Sequence, residues 1–128
     1  MLEETLEWLN QSNYDFETAQ AMFQTERYVY ALFMCHLAIE KFLKAIIIEK
    51  TKETPPRTHN LLTLLKITEI ALPSEQKEFL ATITAMSVNT RYPENLSRAI
   101  QEYNQDLVKD YLLNTKEILK CLKEKLTI

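Results

Sequence analysis

Apolar residues recur along this chain with helical period, in long stretches separated by two interruptions. Leu2, Leu6, Leu9, Phe16 and Phe23 follow one another on a single stripe, with Asn13 and Gln20 filling the gaps. They predict an amphipathic helix from about Leu2 to Gln24, whose two polar positions fix register or lie at a partly wet seam. Past "TERY", a second helix is expected from about Tyr28 to Lys50. Leu32, Cys35, Ile39, Phe42 and Ile46 form its main stripe, and Val29, Phe33, Leu43 and Ile47 form another beside it. A helix apolar over so much of its circumference is surrounded by neighbours, which places it at the centre with Ile39 and Phe42 fully buried. At ~23 residues each, these helices would be about 34 Å long and suit an up-down bundle with a short connection.

The first interruption is "TKETPPRTHN", where Pro55-Pro56 cannot continue a helix. Thr58 or Asn60 is then placed to cap a shorter third helix over "LLTLLKITEIA". "LPSEQ" ends that helix and opens a fourth, with Ser74 as the expected N-cap and Phe79, Leu80, Ile83 and Met86 as its core face. The second interruption is "NTRYPENLSRAIQEYNQ". After it, Leu107, Tyr111, Ile118, Leu119, Leu122 and Leu126 predict a last long helix from about Asn104 to Leu126. The expectation is an all-α antiparallel up-down bundle of about five helices in one domain, residues 1–128.

Composition sharpens this picture. The chain has 128 residues and contains no glycine. Average usage of about 7% would give roughly nine. Glycine-dependent phosphate loops of the P-loop and dinucleotide-binding types are therefore excluded, and tight β-hairpins are disfavoured. The net charge of −3 argues against a sequence-specific DNA binder. Cys35 and Cys121 lie far apart, with no paired-cysteine motif and no clustered histidines, so no metal site is expected. The acidic start "MLEETLE" does not resemble a signal peptide. The most apolar stretch, "YVYALFMCHLAIEKFLKAIII", carries His36, Glu40, Lys41 and Lys44 and is read as a core helix rather than a membrane span. A cytoplasmic protein without a cofactor is expected.

Three segments stand out in order: Ala38-Ile39-Glu40-Lys41-Phe42-Leu43-Lys44-Ala45, then Thr58-His59-Asn60-Leu61 with Leu64-Leu65, then Arg91-Tyr92-Pro93. Together they resemble the HEPN family (higher eukaryotes and prokaryotes nucleotide-binding) over nearly the whole chain. The resemblance implies a helical bundle, commonly a homodimer, often encoded beside a minimal nucleotidyltransferase protein with which it forms a toxin–antitoxin module. It also implies a metal-independent ribonuclease that uses an arginine followed, after four to six residues, by a histidine, with two copies meeting across a dimer. This chain departs from that motif. Leu96, Ser97 and Arg98 stand at the histidine positions after Arg91, and Leu62, Thr63 and Leu64 stand there after Arg57.

The resemblance marks Arg91, His59, Tyr92, Glu40, Lys44 and Arg57 as candidate ligand-binding residues for a nucleotide or RNA phosphate, with the catalytic residues left open. Several of the singled-out residues also have a plainer account. Glu40 and Lys44 have the i, i+4 spacing of a solvated helix pair. His36 is one turn before Glu40 and suits a hydrogen-bonded, half-buried position. His59 stands at a helix start, as part of the cap region or as a donor toward a phosphate. Arg91 is either aimed at a phosphate from a corner stiffened by Pro93 and anchored by Tyr92, or paired with a carboxylate such as Glu40. Trp8, Tyr28 and Tyr30 lie off the main stripes and are candidates for a dimer surface.

Overall fold

The computed structural model describes residues 1–126. Six α-helices account for most of them: α1 (Glu3–Gln24), α2 (Tyr28–Thr51), α3 (Leu61–Thr68), α4 (Ser74–Arg91), α5 (Leu96–Glu102) and α6 (Gln105–Leu126). They form the expected all-α antiparallel bundle, with one helix more than expected. The extra helix is α5, hidden in the second interruption. Pro93 breaks the chain for only a few residues, after which Asn95 caps a new turn by accepting from the Arg98 backbone N–H. The interruption also starts later than "NTRYPEN" suggests, because Asn89, Thr90 and Arg91 still belong to α4.

α2 is central, as its apolar circumference requires. Ile39 is 0% exposed and Phe42 is 9% exposed. Around them, Leu43 and Ile46 of α2 pack with Leu61 and Leu64 of α3, Leu80 and Ile83 of α4, and Ile118 and Leu122 of α6. A second cluster joins Val29, Ala31 and Leu32 at the start of α2 to Ala99, Tyr103 and Val108.

α1 meets α2 differently from its sequence pattern. Its buried residues are Thr5, Ser12, Asp15 and Ala19, while Leu2 and Leu6 of the predicted stripe are exposed. Small and hydrogen-bonding side chains face α2. The Ser12 hydroxyl donates to the Ala38 carbonyl at 2.7 Å, the Thr5 hydroxyl donates to Glu49 Oε1 at 2.9 Å, and Lys41 Nζ meets Asp15 Oδ2 at 2.9 Å. Of the leucine and phenylalanine stripe, Leu9 and Phe23 still pack against the core at the margin of this contact, and Leu2 and Leu6 face solvent.

With no glycine available, helix ends adopt left-handed geometry at other residues: Glu26 at φ 62°, Lys52 at φ 60° and Glu69 at φ 60°. At the first, the Arg27 N–H reaches the Met22 carbonyl and the Glu26 N–H reaches that of Phe23. This is the paired closure of a Schellman motif, made without its usual glycine. At α3, Asn60 is the cap, accepting from the Leu62 and Thr63 N–H groups, and Thr58 accepts from the Asn60 N–H. At α4, Pro73 rather than Ser74 holds the N-cap position, and Ser74 begins the helix.

Candidate functional site

Three helices bring the singled-out residues to one corner. α2 supplies Phe33, His36, Glu40 and Lys44, spaced by three or four residues and therefore on one side of the helix. The Pro55-Pro56 segment returns the chain so that His59, just before α3, lies over Glu40. α4 ends at Arg91, whose guanidinium reaches the same place.

Glu40 is the base of the corner and is 4% exposed. Its Oε2 accepts from Lys44 Nζ at 3.0 Å, and its Oε1 accepts from His59 Nδ1 at 2.9 Å. A buried carboxylate needs such partners, since removing a charge from water without them costs several kcal/mol. The pair with Lys44 is thus not the solvated surface pair that its spacing suggests. Lys44 is itself 8% exposed, with Trp8 of α1 covering it at 5.8 Å from the ring centroid. Tyr28 likewise is engaged, its ring tilted against Phe23 at 5.5 Å, whereas Tyr30 is exposed.

The carboxylate selects the tautomer of a neutral His59 ring. Glu40 can only accept, so the Nδ1 of His59 carries the proton and its Nε2 is left as an acceptor. Arg91 Nη1 donates to that Nε2 at 3.4 Å, a long contact between exposed groups. The guanidinium also lies over the Phe33 ring, 4.8 Å from its centroid. Arg91 therefore does not pair directly with Glu40. His59 stands between them, in a chain that runs from Lys44 through Glu40 and His59 to Arg91. Its outer end is accessible, because the His59 side chain is 55% exposed.

His36 holds the other side of His59. It is 0% exposed, more deeply placed than the half-buried position expected for it, and its Nε2–H donates to the His59 carbonyl at 2.9 Å. Glu40 Oε1 lies 3.7 Å from its Nδ1. Burial lowers the His36 pKa below its ordinary 6.5, against the opposing pull of Glu40 and of the hydrogen bond to the His59 carbonyl. His36 is therefore neutral at neutral pH, and among the described residues its Nδ1 lone pair has no hydrogen-bond partner. His59 is thus fixed twice, at its ring by Glu40 and at its backbone by His36.

Two candidates stay outside the cluster. Tyr92 was expected to anchor the loop in apolar surface but is 74% exposed, because it follows the last turn of α4 and points into solvent. Arg57 is exposed in the proline loop, and among the described residues no hydrogen bond or ion pair joins it to the corner. Conversely, Phe33 and His36 were not singled out as site residues. Their only signal was position: both fall on the side of α2 that carries Glu40, His36 at four residues before it.

The corner combines a cation, an outward imidazole nitrogen and a buried carboxylate. Among the described residues, no group of three or more His, Cys, Asp or Glu is placed to hold a metal ion. No described helix is long and apolar enough to cross a membrane.

The HEPN domain profile matches residues 5–126. The fold is similar to the crystal structure of TT1696 from Thermus thermophilus, at 22% identity and a TM-score of 0.82 over 97% of this chain and 99% of that one. It is also similar to ST0689, an archaeal HEPN homologue, at 19% identity and a TM-score of 0.78 over 98% of this chain and 99% of that one. No curated protein matches the chain. With the domain profile spanning nearly all of its length, the chain belongs to the HEPN-domain family.

Proposed function

We propose that the outer end of the Glu40–His59–Arg91 chain binds a phosphate group of a nucleotide or of RNA. One observation carries this reading: Arg91 and the outward nitrogen of His59 stand 3.4 Å apart, above a carboxylate that is 4% exposed. A phosphate entering between them accepts from the guanidinium, and protonation of His59 Nε2 adds a second charge-assisted donor. Glu40 stabilises the resulting imidazolium through Nδ1, as a carboxylate does behind a working histidine. Lys44 has no such freedom, since Glu40 and Trp8 occupy it. We place it behind the site and leave Tyr92 and Arg57 as accessory contacts for a longer ligand.

The test is a titration of purified protein with a nucleotide and with a short single-stranded RNA, followed by melting temperature and by the ring resonances of His59. A ligand selective for the folded state raises the melting temperature. It should do so in the wild type and fail to do so in Arg91→Ala and His59→Ala. Unchanged melting and unchanged His59 resonances at millimolar ligand would reject the site.

A second reading, metal-independent RNA cleavage, is favoured by the tautomer of His59. With Nδ1–H held by Glu40, the Nε2 lone pair can take the proton from a ribose 2′-hydroxyl. The oxygen then attacks the adjacent phosphorus, Arg91 offsets the charge that develops, and the departing 5′-oxygen must gain a proton. His36 is sealed in the core, so that proton comes from water or from His59 of a second copy. Metal-free incubation with end-labelled RNA should yield 2′,3′-cyclic phosphate termini, lost in His59→Ala. Binding without cleavage leaves the corner as a binding module, and neither leaves the chain a helical scaffold.

Family membership supports the wider setting: a cytoplasmic, single-domain component acting as a homodimer, with a minimal nucleotidyltransferase partner in a module of the toxin–antitoxin type. Sedimentation of a monomer at micromolar concentration would reject the homodimer. Failure to co-purify with the protein encoded in the neighbouring reading frame would reject the module.

A further inference from the structure

The apolar stripe of the first helix is only partly covered by the core. Thr5, Ser12, Asp15 and Ala19 take the centre of the α2 interface, Leu9 and Phe23 pack at its margin, and Leu2, Leu6 and half-buried Phe16 lie at the edge of the bundle. Leu2 is 39% exposed and Leu6 is 47% exposed. Farther along, Phe16 and Phe23 form one wall of a groove of about 340 Å³ against α6, with Leu112, Leu113, Lys109 and Lys116 on the other wall. That volume is within the roughly 300–1,000 Å³ of clefts that hold ligands. Leu113 is 58% exposed.

The charges of α6 are sorted around this groove. At 3.6 residues per turn, Lys109, Lys116 and Lys120 fall within an arc of about 40° on the groove side of Leu113. Asp106, Asp110 and Glu117 fall in a separate arc of about the same width on its far side. All six are exposed. From α1, the polar residues lining the groove are the uncharged Gln20 and Gln24. A partly covered apolar strip, open to solvent at Leu113, thus runs beside a basic edge.

We infer that the groove between α1 and α6 docks an amphipathic helix with an acidic flank, supplied by a partner protein. Apolar side chains of that helix extend the stripe begun by Phe16 and Phe23, and its carboxylates meet the lysine edge. A nucleic-acid backbone fits worse, because phosphates would sit over phenylalanine and leucine. A second copy laid antiparallel along α6 by a two-fold axis would set lysine edge against lysine edge. The groove is built from α1 and α6, whereas the phosphate corner is built from α2, α3 and α4, so the two stand or fall separately.

The test uses a labelled peptide with a leucine stripe and glutamates along one flank, and its twin with lysines in their place, read by fluorescence anisotropy. The acidic peptide should bind saturably, at least about tenfold tighter than its twin, and more weakly as salt rises. Lys109→Glu with Lys116→Glu should reverse the preference. Leu113→Asp should abolish binding without lowering the melting temperature, and Arg91→Ala should leave it unchanged. Equal binding of the twins, no saturation by about 1 mM, or competition by an RNA oligonucleotide would each overturn the proposal. So would a dimer that Leu113→Asp dissociates, since the groove would then belong to a second copy.

Discussion

Consecutive residues of α2 enter two very different polar arrangements. Lys41 turns toward α1 and closes on Asp15 at 2.9 Å, with both side chains largely covered. Glu40 turns toward α3 and α4 and joins a chain that passes through an imidazole more than half exposed to Arg91. Both carboxylates are buried, Asp15 at 6% and Glu40 at 4% exposure, so burial alone does not tell them apart. The difference is where the network ends. The Asp15–Lys41 pair terminates in itself and fixes how α1 lies on α2. The Glu40 network leads outward, so its interior is structural and its rim can meet a ligand.

The largest effect that bears on this contrast is a core truncation, which sets the scale. Phe42 is packed among α2, α3 and α6 residues, and Phe42→Ala should cost about 3–5 kcal/mol in urea unfolding. The closed pair comes next. Breaking a fully buried pair costs about 3–5 kcal/mol, and Lys41 keeps 19% side-chain exposure, so Lys41→Met should cost about 2–3 kcal/mol. Nucleotide or RNA affinity should not change. A parallel loss of affinity would erase the distinction between the two networks.

At the open rim the signs reverse. Arg91→Ala gives up the contact with Phe33, worth about 0.5–1 kcal/mol of stability. It should weaken phosphate binding by about 1.5–3 kcal/mol, the value of a hydrogen bond to a charged group. Lysine should restore only part of this, because an ammonium lacks the planar fork. Glu40→Gln connects the two ends of the chain. It removes the charge behind both Lys44 and His59, so stability and affinity should fall together. A fall in melting temperature for Arg91→Ala with affinity untouched would move Arg91 to the structural side of the comparison.

How much of this was legible in the sequence follows the same division. The central place of α2 was plain, because stripes on most of its circumference leave no face for water. α1 was half legible: its helix was clear and its buried face was not, since periodicity tracks greasy residues and the contact with α2 is made by Thr5, Ser12, Asp15 and Ala19. α5 was missed because Pro93 draws attention to the break and seven residues carry too little period to announce a helix. The i, i+4 spacing of Glu40 and Lys44 looks the same on a surface as in a core, so it concealed their burial. His59 and Arg91 are 32 positions apart, and only tertiary packing makes them neighbours. Their individual importance came from family resemblance, while their contact came from the fold.

The smallest predicted effect tests the inner end of the open network. Burial keeps His36 neutral in the folded protein, whereas in the unfolded chain it titrates near its ordinary value of 6.5. Above that pH neither state carries the proton, and the stability from the neutral form is fully present. As pH falls below it, the unfolded chain binds a proton that the folded chain refuses, so unfolding becomes easier. The slope from this one group is at most about 1.4 kcal/mol per pH unit, and it persists until the folded pKa is reached. His36→Gln retains an amide donor for the His59 carbonyl and removes the titration. Urea unfolding of both proteins from about pH 7.5 to about pH 5.5 should therefore give curves that diverge, with the wild type losing more stability on acidification. The absolute stability of the variant is irrelevant, because only the slopes are compared. Parallel slopes would mean that His36 accepts its proton inside the fold and bonds Glu40 as an imidazolium. His59 would then share that carboxylate with a second cation, and the outward nitrogen facing Arg91 would lose the backing that sets its proton.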